Sequence, residues 1–126
     1  MQYLFVFLGG GLGSLCRYGI AKGMQSYQLT FPYSTLIANI LSCIVLGFLV
    51  AWTVKGNLSD TMKLFFMVGF CGGFSTFSTF SNETFNLLRD GYYAYGIANI
   101  AVSVLVCLLA IYVGILLGDS ILMRPQ

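Results

Sequence analysis

Gly69-Phe70-Cys71-Gly72-Gly73-Phe74-Ser75-Thr76-Phe77-Ser78-Thr79-Phe80-Ser81 lies inside an apolar segment long enough to cross a membrane. Its paired glycines, alternating hydroxyls and recurring phenylalanines do not suit a plain lipid-facing helix. Irregular backbone at membrane depth is tolerated only where protein buries it or water lines it. The stretch therefore predicts a broken helix beside a pathway, with Gly72-Gly73 as the break. Carbonyls ending the first half-helix can then coordinate a cation. The N–H groups opening the second half can favour an anion.

The rest of the chain fits that setting. It has 126 residues, of which 58% are hydrophobic and only 8% charged. Soluble domains are about 25% charged, so the composition is that of an all-α membrane protein. A bilayer core needs about 20 apolar residues per helix. Four such segments are readable, over about 3–23, 33–54, 62–88 and 93–117, and together they read as a single four-helix transmembrane domain. No basic stretch precedes Tyr3, and Arg17 falls late in the first segment. That segment is therefore expected to stay in the membrane rather than act as a signal peptide.

With four spans, Lys55, Lys63 and Arg124 fall on one side and Arg17, Lys22 and Arg89 on the other. The positive-inside rule then sets no orientation. A chain without bias can insert both ways, which makes an antiparallel, dual-topology homodimer plausible. An even split of six charges also arises by chance. The four cysteines fall one per span, and there is no histidine. Their spacing suggests neither a zinc site nor a disulfide, and they read as small core residues.

In the first segment, Gly9 with Gly13 and Gly10 with Ser14 form small-residue pairs that allow close helix approach in lipid. Arg17 follows, either snorkelling to the interface or standing at the mouth of an anion path held by nearby carbonyls. In the second segment, Thr35, Asn39 and Cys43 share a face. Asn39 either glues helices together or donates N–H groups to an anion. Ser59 and Asp60 are candidate caps for the third segment.

Beyond Gly73, Phe74, Phe77 and Phe80 recur every three residues among Ser and Thr. The edge of a phenyl ring is partly positive, so ring edges can touch an anion weakly, as rapid conduction requires. Glu83 follows one turn after Thr79, either near the headgroups or on the path. Asn99, Ser103 and Cys107 form a polar line on the fourth segment, suited to packing or to lining.

These motifs closely resemble the Fluc (CrcB) family of fluoride channels over essentially the whole chain. The resemblance rests on Gly9-Gly10-Gly11-Leu12-Gly13-Ser14 with Arg17-Tyr18, on Thr35-Leu36-Ile37-Ala38-Asn39, and above all on Gly72 to Ser81 with Glu83. It implies four helices with a broken third, in an antiparallel dimer holding two pores built from both subunits. It implies that Phe77 and Phe80 turn ring edges to fluoride, that Asn39 donates to it, and that Thr79 lies beside the lower phenylalanine.

The same resemblance implies a structural sodium ion at the dimer interface, held by the backbone carbonyls of Gly72 and Ser75 of both subunits. Arg17 matches a vestibule arginine, Glu83 the acid after the Phe motif, and Ser103 and Cys107 the polar track. The chain departs from the pattern at Asn99, where tyrosine is common, and at Cys107, where serine is expected.

The function expected is passive export of fluoride across a bacterial plasma (inner) membrane, lowering cytoplasmic fluoride. The partners are fluoride, lipid and a second copy of the chain, with no nucleic acid and no enzymatic activity. A small multidrug-type cation exporter is the alternative, but it needs an acid in the first span, and none occurs before Asp60. A structural membrane protein would keep the Phe and hydroxyl face dry.

Overall fold

The computed structural model describes residues 1–56 and 58–122. Arg124, part of the charge tally, and Asn57 of the second connection lie outside the described residues. The described residues are helical, with four spans long and apolar enough to cross a membrane: Gln2–Tyr27, Tyr33–Val54, Asp60–Arg89 and Tyr93–Leu122. We label α1 Gln2–Met24 and α2 Tyr33–Val54. The third span divides into α3, made of Asp60–Met62, Lys63–Cys71 and Gly72–Phe74, and α4, Phe77–Arg89. The last helix, α5, is Tyr93–Leu122 and runs past the expected end at Leu117.

Two close pairings organise the chain, α1 on α3 and α2 on α5. Both depend on missing side chains. A Cβ at Gly9 would run into the Phe65 carbonyl oxygen, and one at Gly13 into that of Phe70. Gly73 meets the Gly10 carbonyl in the same way. On the other pairing, Gly47 lies against the Ile111 carbonyl and Gly114 against that of Ile44. In lipid, where apolar burial drives little, such backbone-to-backbone contact supplies the association energy through dispersion. Lys55 fastens the end of α2 to α5, its Nζ 3.3 Å from Asp119 Oδ1.

Helix α3 starts as its sequence predicts, with Ser59 Oγ accepting from the Met62 N–H at 3.3 Å. Its middle, Lys63–Cys71, is wound as a π-helix, a rare form that is frequent at functional sites. This wide stretch is where the α1 glycines lodge.

The position of the break differs from expectation. Gly72 and Gly73 are helical, and the chain leaves helical geometry at Ser75 (φ −76°, ψ 158°) and Thr76 (φ −151°, ψ 117°). Gly73 is instead required by the close approach of α1. The extended turn is set by capping: Thr76 Oγ1 accepts from the Thr79 N–H at 3.2 Å and opens α4.

Candidate functional site: an anion cleft at the extended turn

The Ser75–Thr76 turn is gripped from both neighbouring helices. From α2, Asn39 Oδ1 accepts the Thr76 N–H at 2.8 Å, and Asn39 Nδ2 reaches the Thr76 carbonyl at 3.4 Å. One turn along α2, Ser42 Oγ donates to the Cys71 carbonyl at 3.0 Å, and Ser75 Oγ donates to that same oxygen at 2.9 Å. From α1, Arg17 Nε donates to the Gly73 carbonyl at 3.1 Å, with Ser14 Oγ at 3.4 Å. The carbonyls ending α3 carry partial negative charge, so a guanidinium suits that end. Arg17 is thus held by a carbonyl.

Two clefts flank the turn. One, of about 250 Å³, is lined by Asn39, Cys43, Ser75, Thr76, Phe77, Phe80, Ser103, Val104 and Cys107. It gathers four of the five expected pore residues from α2, α4 and α5. The Phe77 and Phe80 rings stand 5.6 Å apart at 39°. Phe77 is 78% exposed, so this wall faces outward from the single chain. Thr79 lies elsewhere: with Arg17, Ser14, Thr35, Thr76 and Glu83 it lines a second cleft of about 610 Å³. Its hydroxyl accepts from Thr76 Oγ1 at 3.0 Å.

Glu83 lines that second cleft and also a third, of about 460 Å³, that opens towards Asp90 and Tyr92. Its Oε1 accepts from Thr35 Oγ1 at 2.7 Å, while Oε2 is buried with no protein partner among the described residues. Arg17 and Glu83 share a cleft without forming an ion pair among those residues. Glu83 thus lies on the wall shared by the two wider clefts.

The polar line on α5 is a clamp before it is a lining. Ser103 Oγ donates to Asn99 Oδ1 at 3.2 Å, Asn99 Nδ2 donates to Thr84 Oγ1 at 2.8 Å, and Thr84 Oγ1 donates to the Phe80 carbonyl at 2.8 Å. Asn99 is 1% exposed. The chain of donors ties α5 to the backbone of Phe80, so Ser103 turns its proton away from the cleft.

Sequence reasoning missed Thr76, Thr84 and Ser42 as positioning residues. For Thr76 a signal was present, since a threonine three residues before Thr79 at a helix start is a capping pattern. Thr84 and Ser42 carry no comparable mark.

The carbonyls proposed for sodium can be judged from the same geometry. In an unbroken helix the Thr76 N–H would bond to the Gly72 carbonyl, but here it is given to Asn39. Gly72 is exposed, with open space where a Cβ would stand. A carbonyl that loses its helical partner, with Ser75 extended beside it, offers hard oxygen of the kind a monovalent cation takes.

The sequence profile of CrcB-like proteins (Camphor Resistance, CrcB) matches residues 4–115. The chain belongs to the CrcB family. CrcB relatives named "Fluoride-specific ion channel FluC" are similar over nearly their full lengths. The protein from Bacteroides fragilis is 36% identical, over 94% of this chain and 97% of its own. That from Desulfotalea psychrophila is 39% identical, over 98% and 97%, and that from Dehalococcoides mccartyi 42%, over 94% and 92%. Family membership and four apolar spans together make this a multi-pass membrane protein.

Proposed function

We propose that the protein is a fluoride-selective channel that lets F⁻ leave the cell passively across a bacterial plasma membrane, working as an antiparallel, dual-topology homodimer. The observation that carries this reading is the cleft that brings Phe77, Phe80, Asn39 and Ser103 together, with Phe77 turned outward from the single chain. A single chain leaves that cleft open, and a second copy would close it into a pore. The balanced placement of Lys and Arg supports insertion in both orientations.

Within such a pore, the ring edges of Phe77 and Phe80 offer weak positive potential without a full charge. Asn39 spends its oxygen on Thr76 and makes only one long contact through Nδ2, which leaves amide hydrogen available to an anion. The Ser103–Asn99–Thr84 chain fixes the backbone of Phe80. Arg17, in the wider cleft, would draw anions towards the narrow one, and Glu83 would hold the boundary between the wider clefts. Thr79 would act through the Thr76 cap. The interruption of the third span would serve as the joint between subunits. Gly72 and Ser75 would hold a sodium ion there through backbone carbonyls, and the ion would supply a fixed positive charge that binds the two copies.

No acid lies on α1 or α2, which speaks against a proton-coupled cation exporter. The test is purified protein in fluoride-loaded liposomes, with efflux followed by a fluoride electrode. Fluoride should leave rapidly while chloride is retained. Efflux no faster than from empty vesicles, or equal chloride efflux, would overturn the proposal.

A further inference from the structure

Cys43 and Cys107 are the two thiols of the narrow cleft. Cys43 stands one helical turn beyond Asn39 on α2, and Cys107 one turn beyond Ser103 on α5, so both face the same space. Both thiols line the same cleft of about 250 Å³, from opposite helices. Both are half-buried, whereas Cys16 is exposed and Cys71 buried.

Thiolates select soft cations. Among the described residues no group of three or more His, Cys, Asp or Glu side chains exists, so four-coordinate zinc finds no cage here. Two sulfurs on one cleft suit a d¹⁰ cation that accepts linear two-coordination. Charge narrows the choice further, because a residual charge in the membrane interior is costly. A divalent cation bound by two thiolates is neutral.

We propose that Cys43 and Cys107 form a two-sulfur site for a soft divalent cation of the mercury(II) type, and that its occupation blocks the cleft. Each thiol loses its proton to water, two metal–sulfur bonds form as two chloride or water ligands leave the cation, and the metal stays divalent, so no oxidant is needed. The block rests on the channel reading; the binding does not.

The experiment uses the full chain carrying Cys16→Ala, to remove the exposed thiol, and mercury(II) chloride as the probe. In detergent, about one mercury per chain should be retained against excess monothiol, with the ultraviolet absorption of a bis-thiolate. Adding Cys43→Ser or Cys107→Ser should abolish both signals. Equal retention in either serine variant would overturn the site. In liposomes, mercury(II) should reduce the fluoride efflux of the Cys16→Ala protein to that of empty vesicles, and a dithiol chelator should restore it. Retained mercury with undiminished efflux would overturn the block. Absence of any fluoride efflux before mercury is added would strike the channel reading instead, and the detergent measurement would still decide the site.

Discussion

Replacing Asn39 by alanine removes the oxygen that holds the Thr76 N–H at 2.8 Å. The second contact, from Nδ2 to the Thr76 carbonyl at 3.4 Å, is too long to add much. The main loss is therefore an orphaned backbone donor, which costs about 1–3 kcal/mol when fully buried. Thr76 is half-buried on the wall of a cleft, and water entering there would recover part of this. A net cost of about 1–2 kcal/mol corresponds to roughly a 5- to 30-fold rise in local opening. Hydrogen–deuterium exchange on the full chain, read from peptides spanning residues 71–80, should accelerate by that factor. Asn39→Asp keeps the acceptor and should leave exchange near the wild-type rate. Unchanged exchange in Asn39→Ala, or equal acceleration in both variants, would refute the claim that Asn39 sets the extended turn.

Three further outcomes follow from the same geometry. Phe80→Ile removes the ring from the cleft wall, and fluoride efflux should fall almost to background while the protein elutes unchanged; undiminished efflux would take Phe80 off the path. Gly13→Leu drives a side chain into the Phe70 carbonyl, so α1 must separate from α3. The overpacking cost is about 1–3 kcal/mol or more, visible as a lower unfolding midpoint in detergent; an unaltered midpoint would contradict the close pairing. Finally, a cysteine introduced as Thr61→Cys into the Cys16→Ala chain should be labelled by an impermeant reagent from both sides of the membrane. Labelling from one side alone would contradict dual topology.

The four spans were legible because bilayer thickness dictates apolar length, and hydropathy records length directly. The glycine pairs were legible for a similar reason, since only a missing Cβ allows the backbone contacts at Gly9 and Gly13. The position of the turn was not. Glycine permits a departure from helix but does not force one, and Gly72-Gly73 stay helical. What forces the turn is a cap at Thr76 and an amide 37 residues away on another helix. Long-range partners explain the other gaps too. The spacing of Asn99 and Ser103 put them on one face, but only the packing of α4 on α5 supplies Thr84 and turns the line into a clamp. The partner of Glu83, Thr35, lies 48 residues away on another helix and leaves no mark in local spacing.

The most direct test of passive, fluoride-selective conduction is the reversal potential of the reconstituted protein under a tenfold fluoride gradient with chloride equal on both sides. The account predicts a potential of about 59 mV, the value for a monovalent ion at equilibrium, unmoved by an added pH gradient. A potential near zero, or one that follows the proton gradient, would contradict it.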